Sequence, residues 1–122
     1  MLIAKGKVTD MKNICFEHIK INDGFWKVKQ DMVKNSTQYA AYNRFMYTHR
    51  FDALSCTWKE GEPDMPHIFW DSDVAKWIEG ASYLLMEQRD EKIENIIDDV
   101  VDKIVTNSDE NGYFNSHFLV TE

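Results

Sequence analysis

Residues 71–105 read DSDVAKWIEGASYLLMEQRDEKIENIIDDVVDKIV. In the first half, Val74, Trp77, Ile78, Ala81, Leu84 and Leu85 recur three or four apart, the spacing of one helix face, while Lys76 and Glu79 fall on the other side. After Asp90, the residues Ile93, Ile96, Ile97, Val100, Val101, Ile104 and Val105 repeat the pattern. The two stretches predict helices over 71–88 and 91–106. Asp71 and Asp90 stand where N-caps are expected, because a short carboxylate accepts from the unpaired amides of a first turn. Asp73 falls inside the first turn, where the helix dipole favours negative charge. Only a few residues, 88–90, separate the helices, so they are expected to pack antiparallel as an αα-hairpin.

Working outward, a third helix is predicted over 25–47, with Phe25, Val28, Met32, Val33, Ser36, Tyr39, Ala40, Asn43 and Met46 or Tyr47 as its inward face. Asn22-Asp23-Gly24 before it is a turn and helix-start signal. Residues 1–22 read as an extended arm, since Ile14, Phe16, Ile19 and Ile21 alternate within it. Residues 49–68, with Gly61, Pro63 and Pro66, read as a long loop. Turn formers at 107–112 end the last helix, and 113–120 is expected to be extended or irregular. Trp26 and Trp77 are expected in the core. The fold class is therefore mainly α: an arm plus about three helices. The apolar stripes are broad for so few helices, so self-association through exposed helix faces is expected. A self-sufficient three-helix domain is the alternative.

Composition narrows the function classes. The chain has 122 residues and a formal charge of −7, from 14 Lys plus Arg against 21 Asp plus Glu. It has no basic cluster to meet a phosphate backbone, so no nucleic-acid partner is expected. No apolar run approaches the ~20 residues that cross a bilayer, and the first residues lack the apolar core of a secretory signal. A cytoplasmic protein with no membrane partner is the expectation. Cys15 and Cys56 are isolated and make no disulfide framework. None of His18, His49, His67 and His117 pairs at metal-ligand spacing. No phosphate loop or serine nucleophile elbow is present.

Three motifs carry a family likeness. The run from Phe69 to Leu84, FWDSDVAKWIEGASYL, resembles the D-S-D-V-x-K-W-[LI]-E-A-A-x-Y-x-L segment of the β-L-arabinofuranosidase-like glycoside hydrolases. Ile21 to Trp26, INDGFW, resembles the start of that family, and Asn111 to Asn115, NGYFN, resembles its D-G-Y-L-[ND] segment. Gly80 stands where the family usually has Ala, and Asn111 where it usually has Asp. The resemblance implies the N-terminal portion of an (α/α)6 barrel that removes terminal arabinofuranose or a related sugar from glycans. It also implies a Cys nucleophile, a Glu acid/base and a zinc ion held by Glu and Cys, all on segments that this chain does not match. Zinc is therefore implied for the full-length enzyme and no cofactor for these residues. Cys15 and Cys56 inherit no role, no catalytic residue is assigned, and the chain is expected to be inactive alone.

The substrate-binding candidates are Trp70, Asp71, Asp73 and Tyr113. Asp71 and Asp73 form a carboxylate pair of the kind glycosidases use, but residues two apart at a helix start point in different directions, and capping plus dipole is the favoured explanation, with the wall of a sugar pocket as the other. Trp70 and Tyr113 are either walls of a sugar pocket or core packing. The partner implied for the full-length form is carbohydrate. A small acidic interaction module, or a sugar-binding module without catalysis, remains the alternative.

Overall fold

A computed structural model describes residues 13–15 and 18–122. The elements are α1 (Gly24–Met32), a single π-turn (Val33–Thr37), α2 (Gln38–Tyr47), α3 (Arg50–Ala53), α4 (Trp70–Glu87), α5 (Glu91–Asn107) and α6 (Phe118–Thr121). No strand occurs among the described residues. The expected arm lies partly outside them; residues 13–15 and 18–22 are exposed and form no strand.

α1, the π-turn and α2 run without a break over the predicted 25–47 segment, but the buried side is not the predicted one. Phe25, Val28, Met32, Val33, Met46 and Tyr47 are exposed, as are Ser36, Ala40 and Asn43. Of the predicted face only Tyr39 packs on the core; Gln38 is buried instead of the rest, and Ala41, Tyr42 and Phe45 pack on the core beside it. The reason is ring packing. Tyr42 stacks at 5.5 Å from Phe51 and 5.9 Å from Trp77, Phe45 at 5.7 Å from Phe51, and Phe51 at 5.6 Å from Trp77. Four large rings meet here, two pairs edge-on and two tilted, and these contacts set which side of the helix turns inward. Trp26, expected in the core, is 68% exposed.

Gln38 and Trp77 bond to each other twice. The Gln38 amide donates to the Trp77 carbonyl and the Trp77 indole N–H donates to the Gln38 carbonyl, both at 3.2 Å. Burial without these partners would be costly, so the pair lets two polar groups sit inside. Beside them, a Cβ added at Gly80 would lie 3.9 Å from Gln38 Oε1, an ordinary contact, so the helix has room for the alanine that the resembling family carries there.

The 49–68 loop is not featureless. It contains α3, which drives Phe51 and Leu54 into the core beside Val74, Trp77, Ala81, Ile93 and Val100. The Asn107 side chain at the end of α5 donates to the Leu54 carbonyl at 3.2 Å and fastens that turn. α4 begins at Trp70, after Phe69, and its cap residue makes no side-chain hydrogen bond, so Asp71 lies inside the first turn and is not the N-cap. The end of the chain also differs from expectation. Phe118–Thr121 is a helical turn, started by Asn115 Oδ1, which accepts from the His117 and Phe118 amides at 3.2 Å each.

Asp90 does cap α5, accepting from the Lys92 and Ile93 amides. Its other oxygen accepts from the Tyr39 hydroxyl at 2.6 Å, a short charge-assisted bond between α2 and the start of α5. That bond, with burial adding, pushes the Tyr39 phenol up to about 12, and it is the first cause holding the Asp90 carboxyl below its ordinary value. A raised phenol pKa means the folded state holds the proton more tightly. The contribution is full below the ordinary value near 10 and is lost as pH rises through about 12. Absorbance titration against Tyr39→Phe should show one tyrosine titrating near that upper value. In Asp90→Ala the midpoint should fall towards 10, with loss of a cap worth ~0.5–2 kcal/mol. A Tyr39 midpoint unmoved by Asp90→Ala would refute the link.

Candidate functional site

The start of α4 gathers the motif residues. Asp71 Oδ2 accepts from the Ser116 amide at 2.7 Å and Oδ1 from the Ser116 hydroxyl at 2.6 Å, although the two residues are 45 apart in sequence. Ser116 is fully buried. Asn115 Nδ2 donates to the Ile68 carbonyl at 3.4 Å. His117 Nδ1 lies 2.8 Å from the Pro66 carbonyl, and since a carbonyl only accepts, that nitrogen carries the proton. Residues 66–71 and 115–117 are thus laced together by both side chains and backbone.

The turn that delivers the second strip is explicit in sequence. Asp109 Oδ1 accepts from the Asn111 and Tyr113 amides at 2.8 and 2.7 Å, and the Asp109 amide donates to the Tyr113 carbonyl at 2.9 Å. Gly112, at φ +79°, supplies the left-handed step that this closure needs.

Asp73 faces other company. It accepts from Arg50 Nε at 3.4 Å and pairs with Lys76 Nζ at 3.5 Å. The Arg50 guanidinium lies 5.5 Å from the Trp70 ring centre and 5.2 Å from that of Phe45. Together Arg50, His67, Phe69, Trp70, Asp73 and Lys76 line an open depression of about 540 Å³. An aromatic face, a carboxylate and fixed cations are what a sugar ring's C–H face and hydroxyls can use. Of the four sequence candidates, Trp70 and Asp73 line this depression. Asp71 is consumed by Ser116, so the two aspartates do not form one carboxylate pair. Tyr113, 49% exposed on its turn, is not among the lining residues. Arg50 and Ser116 were not legible: neither stands in a motif, and only the folded chain places them beside α4.

In the loop before α4, His49 sits between two aspartates. His49 stands in the left-handed region at φ 58°, with Nδ1 2.9 Å from Asp52 and Nε2 3.8 Å from Asp64, itself at φ 58°. The Asp52 hydrogen bond, aided by the Asp64 charge, raises the imidazole above its ordinary value.

Among the described residues no three His, Cys, Asp or Glu side chains converge on one point. Cys15 is exposed, and the Cys56 thiol turns to the Leu54 carbonyl at 3.8 Å. Burial, with the Asp71 charge adding, pushes the Cys56 thiol up, so it is held as thiol rather than as the nucleophilic thiolate. No helix among the described residues is long and apolar enough to cross a membrane.

A second groove, about 580 Å³, runs between α2 and α5 over Tyr42, Phe51, Ile96 and Val100. It touches none of the three motifs.

Comparison with known families gives one finding. The family model described as β-L-arabinofuranosidase, GH127 catalytic domain, matches residues 18–121, nearly the whole chain. No curated protein and no solved structure matches.

Proposed function

This chain belongs to the β-L-arabinofuranosidase family of the GH127 catalytic domain, and on that premise we propose that it forms the N-terminal part of a glycosidase's helical barrel. In this reading α4 and α5 are an antiparallel hairpin, one unit of an (α/α)6 barrel. The complete domain hydrolyses terminal arabinofuranosyl or related glycosidic bonds. The present residues supply part of the cleft wall and none of the reacting groups, and the zinc implied for the whole domain is held by other segments.

The observation that carries this reading is the convergence at one end of α4. Its first turn, the 66–69 strip and the Asn115–His117 strip are tied by Asp71, Asn115 and His117, and the Trp70 depression opens beside them. Trp70 offers an apolar platform to one face of a sugar. Asp73, held between Arg50 and Lys76, keeps acceptor oxygens for hydroxyl groups, and Arg50 keeps donors. Neither abstracts nor delivers a proton to a leaving group in this reading.

Two measurements on the chain test it. Incubation with an aryl β-L-arabinofuranoside should release no phenol above the rate in buffer. Saturation-transfer NMR with methyl β-L-arabinofuranoside should show weak binding that Trp70→Ala abolishes. Turnover by the chain would overturn the claim that the reacting groups lie elsewhere. Binding unchanged by Trp70→Ala would overturn the platform.

A further inference from the structure

α1 is amphipathic the wrong way round for the packing it makes. Its inward side carries Lys27, Gln30 and Asp31, continued by Lys34 in the π-turn, all half-buried. These reach the end of α4 through polar contacts: Lys27 Nζ lies 3.1 Å from Glu87 and 2.9 Å from Asp31, and Lys34 donates to Gln88. Gln30 Oε1 is buried there with no hydrogen-bond partner among the described residues. The outward side carries Phe25 at 65%, Val28 at 66% and Met32 at 48% exposure, with Lys29 Nζ 5.3 Å from the Phe25 ring centre. A helix that wets its apolar side while tucking its charged side inward has a face built for something else.

α5 bears the complement. Asp98, Val101, Asp102 and Val105 fall at i, i+3, i+4 and i+7, and all four are exposed. Phe25, Val28, Lys29 and Met32 follow the same spacing on α1. Neither Asp98, Asp102 nor Lys29 has an ion-pair partner among the described residues. The charges oppose on a larger scale too. Residues 24–47 hold four basic side chains against one acidic, net +3, and residues 91–107 hold five acidic against two basic, net −3.

We infer that this chain associates head to tail with a second copy of itself, the Phe25–Val28–Lys29–Met32 stripe of one docking on the Asp98–Val101–Asp102–Val105 stripe of the next. Lys29 then lies between two carboxylates, and the valines and Met32 close over each other. Pairing α1 with α1 would set Lys29 against Lys29, and pairing α5 with α5 would set four carboxylates together, so the heterologous contact is the one that charge selects. Two helical turns on each side cover less than the ~800 Å² per partner of a standard interface, so the contact is weak and sensitive to salt. This goes beyond the proposed glycosidase reading and involves no sugar.

Sedimentation velocity on the chain over a wide concentration range is the test. The average mass should rise with concentration at low salt and fall back at ~1 M salt, where the Debye length is about 3 Å. Lys29→Glu alone, and Asp98→Lys with Asp102→Lys, should each weaken association at least about tenfold. An equimolar mixture of the two variants should associate again, because each then meets an opposite stripe. Far-UV circular dichroism checks that these surface variants keep the parent helix content. A parent chain monomeric at every concentration, association unmoved by either variant or by salt, or a mixture that stays monomeric would each overturn the inference. Trp70→Ala should leave association unchanged, so a failure here is separable from a failure of the sugar platform.

Discussion

Trp77→Ala is expected to lower folding stability by ~3–5 kcal/mol, the range for deleting a buried tryptophan. A small domain holds only ~5–15 kcal/mol in all, so the variant stands near the edge of unfolding at room temperature. Two effects combine. The indole is 5% exposed and touches the rings of Tyr42 and Phe51, so its removal leaves a hole in the aromatic cluster. Its N–H also serves the Gln38 carbonyl, and Gln38 in turn reaches the Trp77 carbonyl. Without the indole, Gln38 sits beside a void with one bond of the exchange gone. Trp77→Phe separates the terms: most of the packing stays, and the lost hydrogen bond costs ~1–3 kcal/mol. Urea unfolding followed by circular dichroism reads both. A Trp77→Ala midpoint close to the parent's would mean that the ring cluster is not the centre of the fold.

The second large effect is expected at Asp71. Asp71→Ala removes two short charge-assisted bonds and leaves the amide and hydroxyl of fully buried Ser116 unpaired, at a cost of ~2–5 kcal/mol. The loss is local in a way that can be read. Hydrogen exchange at Ser116 and through α6 should speed up strongly, because Asp71 is what pins residues 115–121 to α4, while Asn115 and His117 reach only the Pro66–Ile68 strip before it. Amides at the start of α4 should change less, since Asp71 does not cap that helix. Fraying confined to α4, with Ser116 protection intact, would restore the capping role and refute the clamp. Asp71→Asn, which keeps an acceptor oxygen, should fall between the two.

The helices of the α4–α5 region were legible because their apolar periods are long and turn or cap residues stand between them and after α5. Asp90 is the clearest case: it stands one residue before a regular run, and it caps that run. The faces of α1 and α2 were not legible, for a physical reason. Two stripes compete on those helices, one apolar but of scattered sizes, the other mixing Gln38 with Tyr42 and Phe45. Counting apolar positions favours the first, whereas the partners that exist inside the molecule, Trp77 and Phe51, favour the second. The same limit applied at the site. A carboxylate two residues into a helix reads as a cap or as a pocket group, and nothing in sequence announces a serine 45 residues later. Trp70 and Asp73 could be named as candidates because the motif holds them; Arg50 lies in a stretch without period and comes beside Trp70 only once α3 folds.

The π-turn at Val33–Thr37 has a geometric consequence for all that precedes it. An α-helix advances 100° per residue, and a π-turn fits roughly one extra residue into a single turn. Everything upstream is therefore dialled by about that angle relative to an unbroken helix. The compass bearing on which Phe25, Val28 and Met32 leave the molecule is set not by those residues but by a gear-tooth inserted a few positions later in the chain.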